Sequence, residues 1–141
     1  MTIRANNPIL LFLFPLALLF TSPLFARGDT FIVIPQYPEL SRLARIEGTV
    51  MVDVAFDKHG NVSSVSMNAN KPNIPMLVPC VLGAISKWHI RKYANAKQAF
   101  TFTFSLLPEA VPDGEVVSYV DLEFGQINIL ARKQRPMPVG E

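Results

Sequence analysis

The 141-residue chain carries 13 Lys and Arg against 11 Asp and Glu, a formal net charge of +2, and half of its residues are apolar. That balance excludes a strongly basic nucleic-acid surface and a long acidic tail, and the length suits one modest domain plus a targeting segment. Two His and one Cys leave little from which to build a nucleophilic or metal site, and no internal disulfide can form.

Residues 6–26 read NNPILLFLFPLALLFTSPLFA and follow Arg4. A weakly positive start, a short apolar stretch and the small Ala26 before Arg27 are the layout of a secretory signal peptide. Pro15 interrupts the stretch, which falls short of the ~20 residues a spanning helix needs. The expectation is an exported chain with residues 1–26 removed. Leu24 stands where a small residue favours cleavage, so an uncleaved anchor is the alternative, and membrane contact is expected only in that case. Residues 27–34 then form a short linker.

Pro38 opens a first helix, with Glu39 in its first turn, Leu40, Leu43 and Ala44 at i, i+3 and i+4, and Gly48 as the stop. From Thr49 the period becomes two: Val50, Val52, Val54 and Phe56 face one way and Met51, Asp53 and Ala55 the other. Residues 57–60 (DKHG) are a turn, and residues 61–67 return as a Ser-rich strand of an antiparallel hairpin. Pro79 opens a second helix with Val81, Ala84, Ile85 and Trp88 on one stripe and Lys87, Arg91 and Lys92 at its end. Phe100, Phe102, Phe104 and Leu106 alternate with Thr101, Thr103 and Ser105 in the clearest strand of the chain. One or two more strands follow around Gly125 and Gln126.

This order predicts an α+β fold: a small antiparallel sheet of three or more strands with two helices on one face, plus a C-terminal β extension. The divisions are a signal peptide or anchor at 1–26, a linker at 27–34, a domain at 35–107, the extension at 108–132 and a loose tail at 133–141.

Chemistry is sparse. Cys80 and His89 stand nine residues apart on the second predicted helix, on nearly opposite faces, and form no dyad. Cys80 reads as a small buried hydrophobe, His59 as a solvated turn residue and His89 as a partner of the last helix carbonyls. Asp53 and Asp57 share a strand region without converging. Neither a metal-ligand spacing nor a phosphate loop is present, so no catalytic residue, metal or cofactor is expected. A small sheet has two edges, however, and an edge is either protected or used to pair with an extended peptide.

Pro35-Gln36-Tyr37-Pro38, then Arg45-Ile46-Glu47-Gly48, the alternating Val residues, Gly60-Asn61-Val62, Lys71-Pro72-Asn73 and AISKW at 84–88 resemble, in order and spacing, the C-terminal domain of TonB energy transducers. The likeness spans residues 35–106. It implies a periplasmic domain that binds the TonB-box peptide of an outer-membrane receptor by adding it as a strand beside the last strand of the sheet. Carried over, the partner-binding residues are Pro35, Gln36 and Tyr37 before the first helix, and Phe100, Thr101, Phe102, Thr103, Phe104, Ser105 and Leu106 in the pairing strand.

The chain departs from the family's transducers in its short linker. Eight residues at ~3.5 Å each reach under ~30 Å, so an anchored form would hold its domain near the inner membrane. It also adds residues 116–131, which could pair with residues 100–106 and occupy the edge a receptor peptide needs. Two readings follow: a periplasmic protein that binds a receptor peptide or another envelope protein, or a structural or assembly subunit whose own extension covers the edge and which forms a homo-oligomer. An enzyme and a nucleic-acid partner are not expected.

Overall fold

A computed structural model describes residues 29–68 and 70–134. The signal-peptide reading of residues 1–26 and most of the tail lie outside the described residues. In chain order the elements are β1 (Thr30–Phe31), α1 (Glu39–Leu43), β2 (Gly48–Phe56), β3 (Val62–Met67), α2 (Val78–Ile85), β4 (His89–Ile90), β5 (Lys97–Leu107), β6 (Tyr119–Asp121) and β7 (Gln126–Arg132). Five of the strands form one sheet in the order β3-β2-β5-β7-β6, and β1 pairs with β4 in a separate two-stranded ribbon.

The core lies on one face of the five-stranded sheet. Val50, Val52, Val54 and Phe56 from β2, Phe100, Phe102, Phe104 and Leu106 from β5, and Ile127 and Ile129 from β7 are all buried, as the two-residue period requires. Val81, Ala84 and Ile85 of α2 are buried with them, and Trp88 follows just beyond the helix. The Trp88 ring packs edge-on against Phe100 at 5.1 Å, and its Nε1 donates to the Val33 carbonyl at 2.8 Å. That bond fastens the N-terminal segment over the core.

Two turns depend on glycine. Gly60 closes the β2–β3 hairpin at φ +86°, and Gly125 closes β6–β7 at φ +62°, where an added Cβ would lie 2.4 Å from the Ala99 carbonyl oxygen. The Asp57 carboxylate accepts from the His59 and Asn61 amides at 2.8 and 2.9 Å. A desolvation push upward is outweighed by those backbone donors, so its pKa lies below the ordinary carboxylate value.

The structure corrects four expectations. The sheet is mixed rather than antiparallel, because β5 and β7 run parallel. The first helix has five residues and turns Leu40 and Leu43 outward, at 71% and 52% exposure, while Ser41 is fully buried. Its stop is Arg45 at φ +53° instead of Gly48: the Ile46 amide bonds to the Ser41 carbonyl and the Arg45 amide to that of Arg42, a Schellman closure. Finally, α2 ends at Ile85, so His89 belongs to β4, with Nδ1 2.8 Å from Asn61 Oδ1, and no basic residue lies in the last turn of α2.

Candidate functional site

The sheet's edges are the places where an extended partner could add, and the two edges are built differently. On one side β7 lies along β5 from Thr101 opposite Gln126 to Leu107 opposite Arg132. The Thr101 amide bonds to the Gly125 carbonyl at 2.8 Å and the Lys133 amide to the Leu107 carbonyl at 2.9 Å. The strand of residues 100–106, which the resemblance assigns to peptide pairing, is therefore interior: β2 takes one side and β7 the other.

β7 is closed on its outer side as well. β6 pairs with it from Tyr119 opposite Asn128 to Asp121 opposite Gln126. Beyond that point Ser118 Oγ accepts from the Leu130 amide at 3.0 Å, and the Arg42 guanidinium donates to the Arg132 carbonyl at 3.2 and 3.4 Å. Arg132 is itself paired with Asp113. These side-chain caps satisfy backbone groups that face away from β5.

Pro35, Gln36 and Tyr37 line a cleft of about 670 Å³ beside this closed edge, together with Arg42, Val117, Ser118 and Leu130 among others. The structure thus brings the N-terminal candidates to the side of the sheet that β7 closes. Pro35 is buried and Gln36 exposed. The Tyr37 ring meets Phe104 edge-on at 5.3 Å, and its hydroxyl donates to the Ile46 carbonyl. Burial first, and then the Glu47 carboxylate, push the Tyr37 pKa up to about 12 against the opposing effect of Arg42. Tyr37 therefore fastens the segment to the core.

The other edge is β3. It pairs with β2 on one side, from Val52 opposite Met67 to Phe56 opposite Val62, with a register shift at Ala55/Phe56 that Ser63 Oγ spans by donating to the Ala55 carbonyl. At the turn end β4 touches the hairpin through a bridge between Asn61 and His89. From Ser63 to Met67 no backbone hydrogen bond reaches its outer side among the described residues. Ser63, Ser64 and Ser66 are exposed.

Among the described residues no reactive constellation accompanies these edges. Cys80 is half-buried, donates to the Leu77 carbonyl at 3.0 Å, and has its thiol pKa raised by burial, which disfavours the thiolate. Among the described residues no group of three or more His, Cys, Asp and Glu is placed to hold a metal, and no helix is long and apolar enough to cross a membrane. Sequence reasoning missed Arg42 and Ser118, because a cap contributed by a distant loop leaves no periodic signal.

A family model described as Gram-negative bacterial TonB protein C-terminal matches residues 34–108. No curated protein and no solved structure matches the chain.

Proposed function

The chain belongs to the Gram-negative bacterial TonB C-terminal family, and from that premise we propose that it is a periplasmic protein that binds an extended segment of an outer-membrane receptor or another envelope partner by strand addition. The family's proteins are non-enzymatic transducers in envelope transport that engage outer-membrane receptors. The absence of a reactive constellation among the described residues fits a site made of backbone and shape.

The observation that carries the reading is the family match over residues 34–108, while the parallel pairing of β7 with β5 moves the binding place away from the edge the resemblance assigns. An internal strand of the chain occupies the place where the family resemblance puts the partner's peptide. The domain is thereby a self-complemented form of the family fold, with Pro35, Gln36 and Tyr37 along the cleft beside the inserted strand. The same pairing favours a second reading, an envelope assembly subunit whose covered edge takes no peptide.

A titration of the full exported chain with synthetic TonB-box-type peptides separates the two. Saturable binding in roughly the micromolar range supports peptide recognition. If such peptides fail to bind at any attainable concentration, the assembly reading stands instead. Intact mass of the chain from separated soluble and membrane envelope fractions tests location: a soluble species beginning at Arg27 supports a free periplasmic protein, and a membrane-bound species retaining residues 1–26 an inner-membrane anchor.

A further inference from the structure

Among the described residues the unguarded edge of this sheet is β3, not the edge used in the family resemblance, and we infer that β3 is where an extended partner segment with uncharged residues on its core-facing side adds. The inference rests on the peptide-binding reading above and specifies its site.

Backbone direction shows which groups are available. The Asn68 amide bonds to the Met51 carbonyl at 3.2 Å, so the backbone groups of Met51, and by alternation those of Asp53 and Ala55, face β3. Their partners Ser66 and Ser64 face back toward β2. Val65 and Met67, between and beyond them, therefore present their N–H and C=O groups outward. β4 has begun a further strand position with its bridge at Asn61, and the row beside Val65 and Met67 continues it.

The chemistry of the edge defines its occupant. Sheet edges are ordinarily guarded by charge, Pro, a bulge or shortness. The opposite edge has such devices: β6 has only three residues, one of them Asp121, and the Arg42 and Ser118 caps follow. Along β3, no residue from Asn61 to Asn70 is ionisable and none is Pro, and the bulge lies at its start, before Ser64. Val65 and Met67 are half-buried against the core, so the apolar layer ends at this strand with its side open. A segment with apolar residues at alternate positions would extend that layer, while its polar alternates would lie beside Ser64 and Ser66. A charged residue at a position beside Val65 or Met67 would be carried against the apolar layer without a counterion, which selects uncharged residues on that side of the segment.

The probe is a short, fluorophore-labelled peptide of alternating Val and Thr, capped at both ends and titrated into the full exported chain. Val65→Pro removes an outward donor at an edge position where Pro is tolerated. Ser66→Lys adds a guard charge on the open face without altering any backbone bond. Leu107→Cys with Arg132→Cys, in a Cys80→Ser background, locks β7 to β5. The inference predicts that each β3 variant weakens binding by about tenfold or more and that the oxidised lock leaves it unchanged. Binding that survives both β3 variants and is lost in the locked chain overturns the inference while leaving peptide recognition in place. An absence of binding in the unmodified chain overturns both. A dimer that Ser66→Lys dissociates, with no peptide bound, assigns the edge to a second copy and overturns it as well.

Discussion

Phe102 on β5 stands opposite Ile127 on β7, and both side chains are fully buried. The C-terminal strand is consequently part of the core and not an appendage to it. Replacing Ile127 by Ala is expected to cost about 2–5 kcal/mol, and Phe102 by Ala about 3–5 kcal/mol. Urea unfolding measures both, and a loss below about 1 kcal/mol for Ile127→Ala would show that β7 does not share the core.

Two glycines should respond in opposite directions. Gly125→Ala forces a side chain into a left-handed turn and against the Ala99 carbonyl, so it should destabilise the chain and loosen β7. Gly83→Ala, inside α2 with open space around the added Cβ, should stabilise by about 0.5–1 kcal/mol. Thermal melts compare the pair, and equal shifts of the same sign would contradict the described turn.

The Trp88 bond to Val33 predicts that Trp88→Phe costs about 1 kcal/mol beyond the change in packing. It should also release the segment before α1, which limited proteolysis would detect as faster cleavage near residues 32–36. Unchanged cleavage would separate that segment's attachment from the indole.

Tyr37 supplies a test at alkaline pH. Its folded pKa, about 12, lies above the ordinary 10, so the folded chain holds the proton more tightly than the unfolded one. The stabilisation is fully present below pH 10 and is lost as pH rises through about 12. Tyr37→Phe should flatten the stability profile in that window, and an identical fall in both proteins would show that Tyr37 is not its source.

Much of this fold is legible in the sequence, because the alternation of Val50, Val52 and Val54 and of Phe100, Phe102 and Phe104 is unambiguous. Alternation fixes which face is buried but not which strand is the neighbour. Residues 116–131 thus announced strands, and their capacity to cover the 100–106 edge could be anticipated, whereas the parallel direction could not. Spacing also misled at α1. Leu40 and Leu43 have helical periodicity, yet a five-residue helix closed at Arg45 buries Ser41 instead. Among the site candidates, Pro35, Gln36 and Tyr37 follow from the resemblance and lie together beside β7, with Tyr37 also against Phe104 of β5. Residues 100–106 are legible as a strand, and the C-terminal extension as a candidate occupant of their free edge, which β7 proves to be. The β3 edge was visible only as a weak Ser-rich strand, since an unpaired backbone has no sequence signature of its own.

In the proposed function the chain accepts an extended partner while β7 stays in the sheet. Amide hydrogen exchange of the full chain, read residue by residue with and without a saturating TonB-box-type peptide, tests it most directly. The amides of Thr101, Thr103 and Leu130 should keep their protection while those of Val65 and Met67 gain it. Loss of protection along β7 on peptide addition, with Val65 and Met67 unchanged, would contradict it.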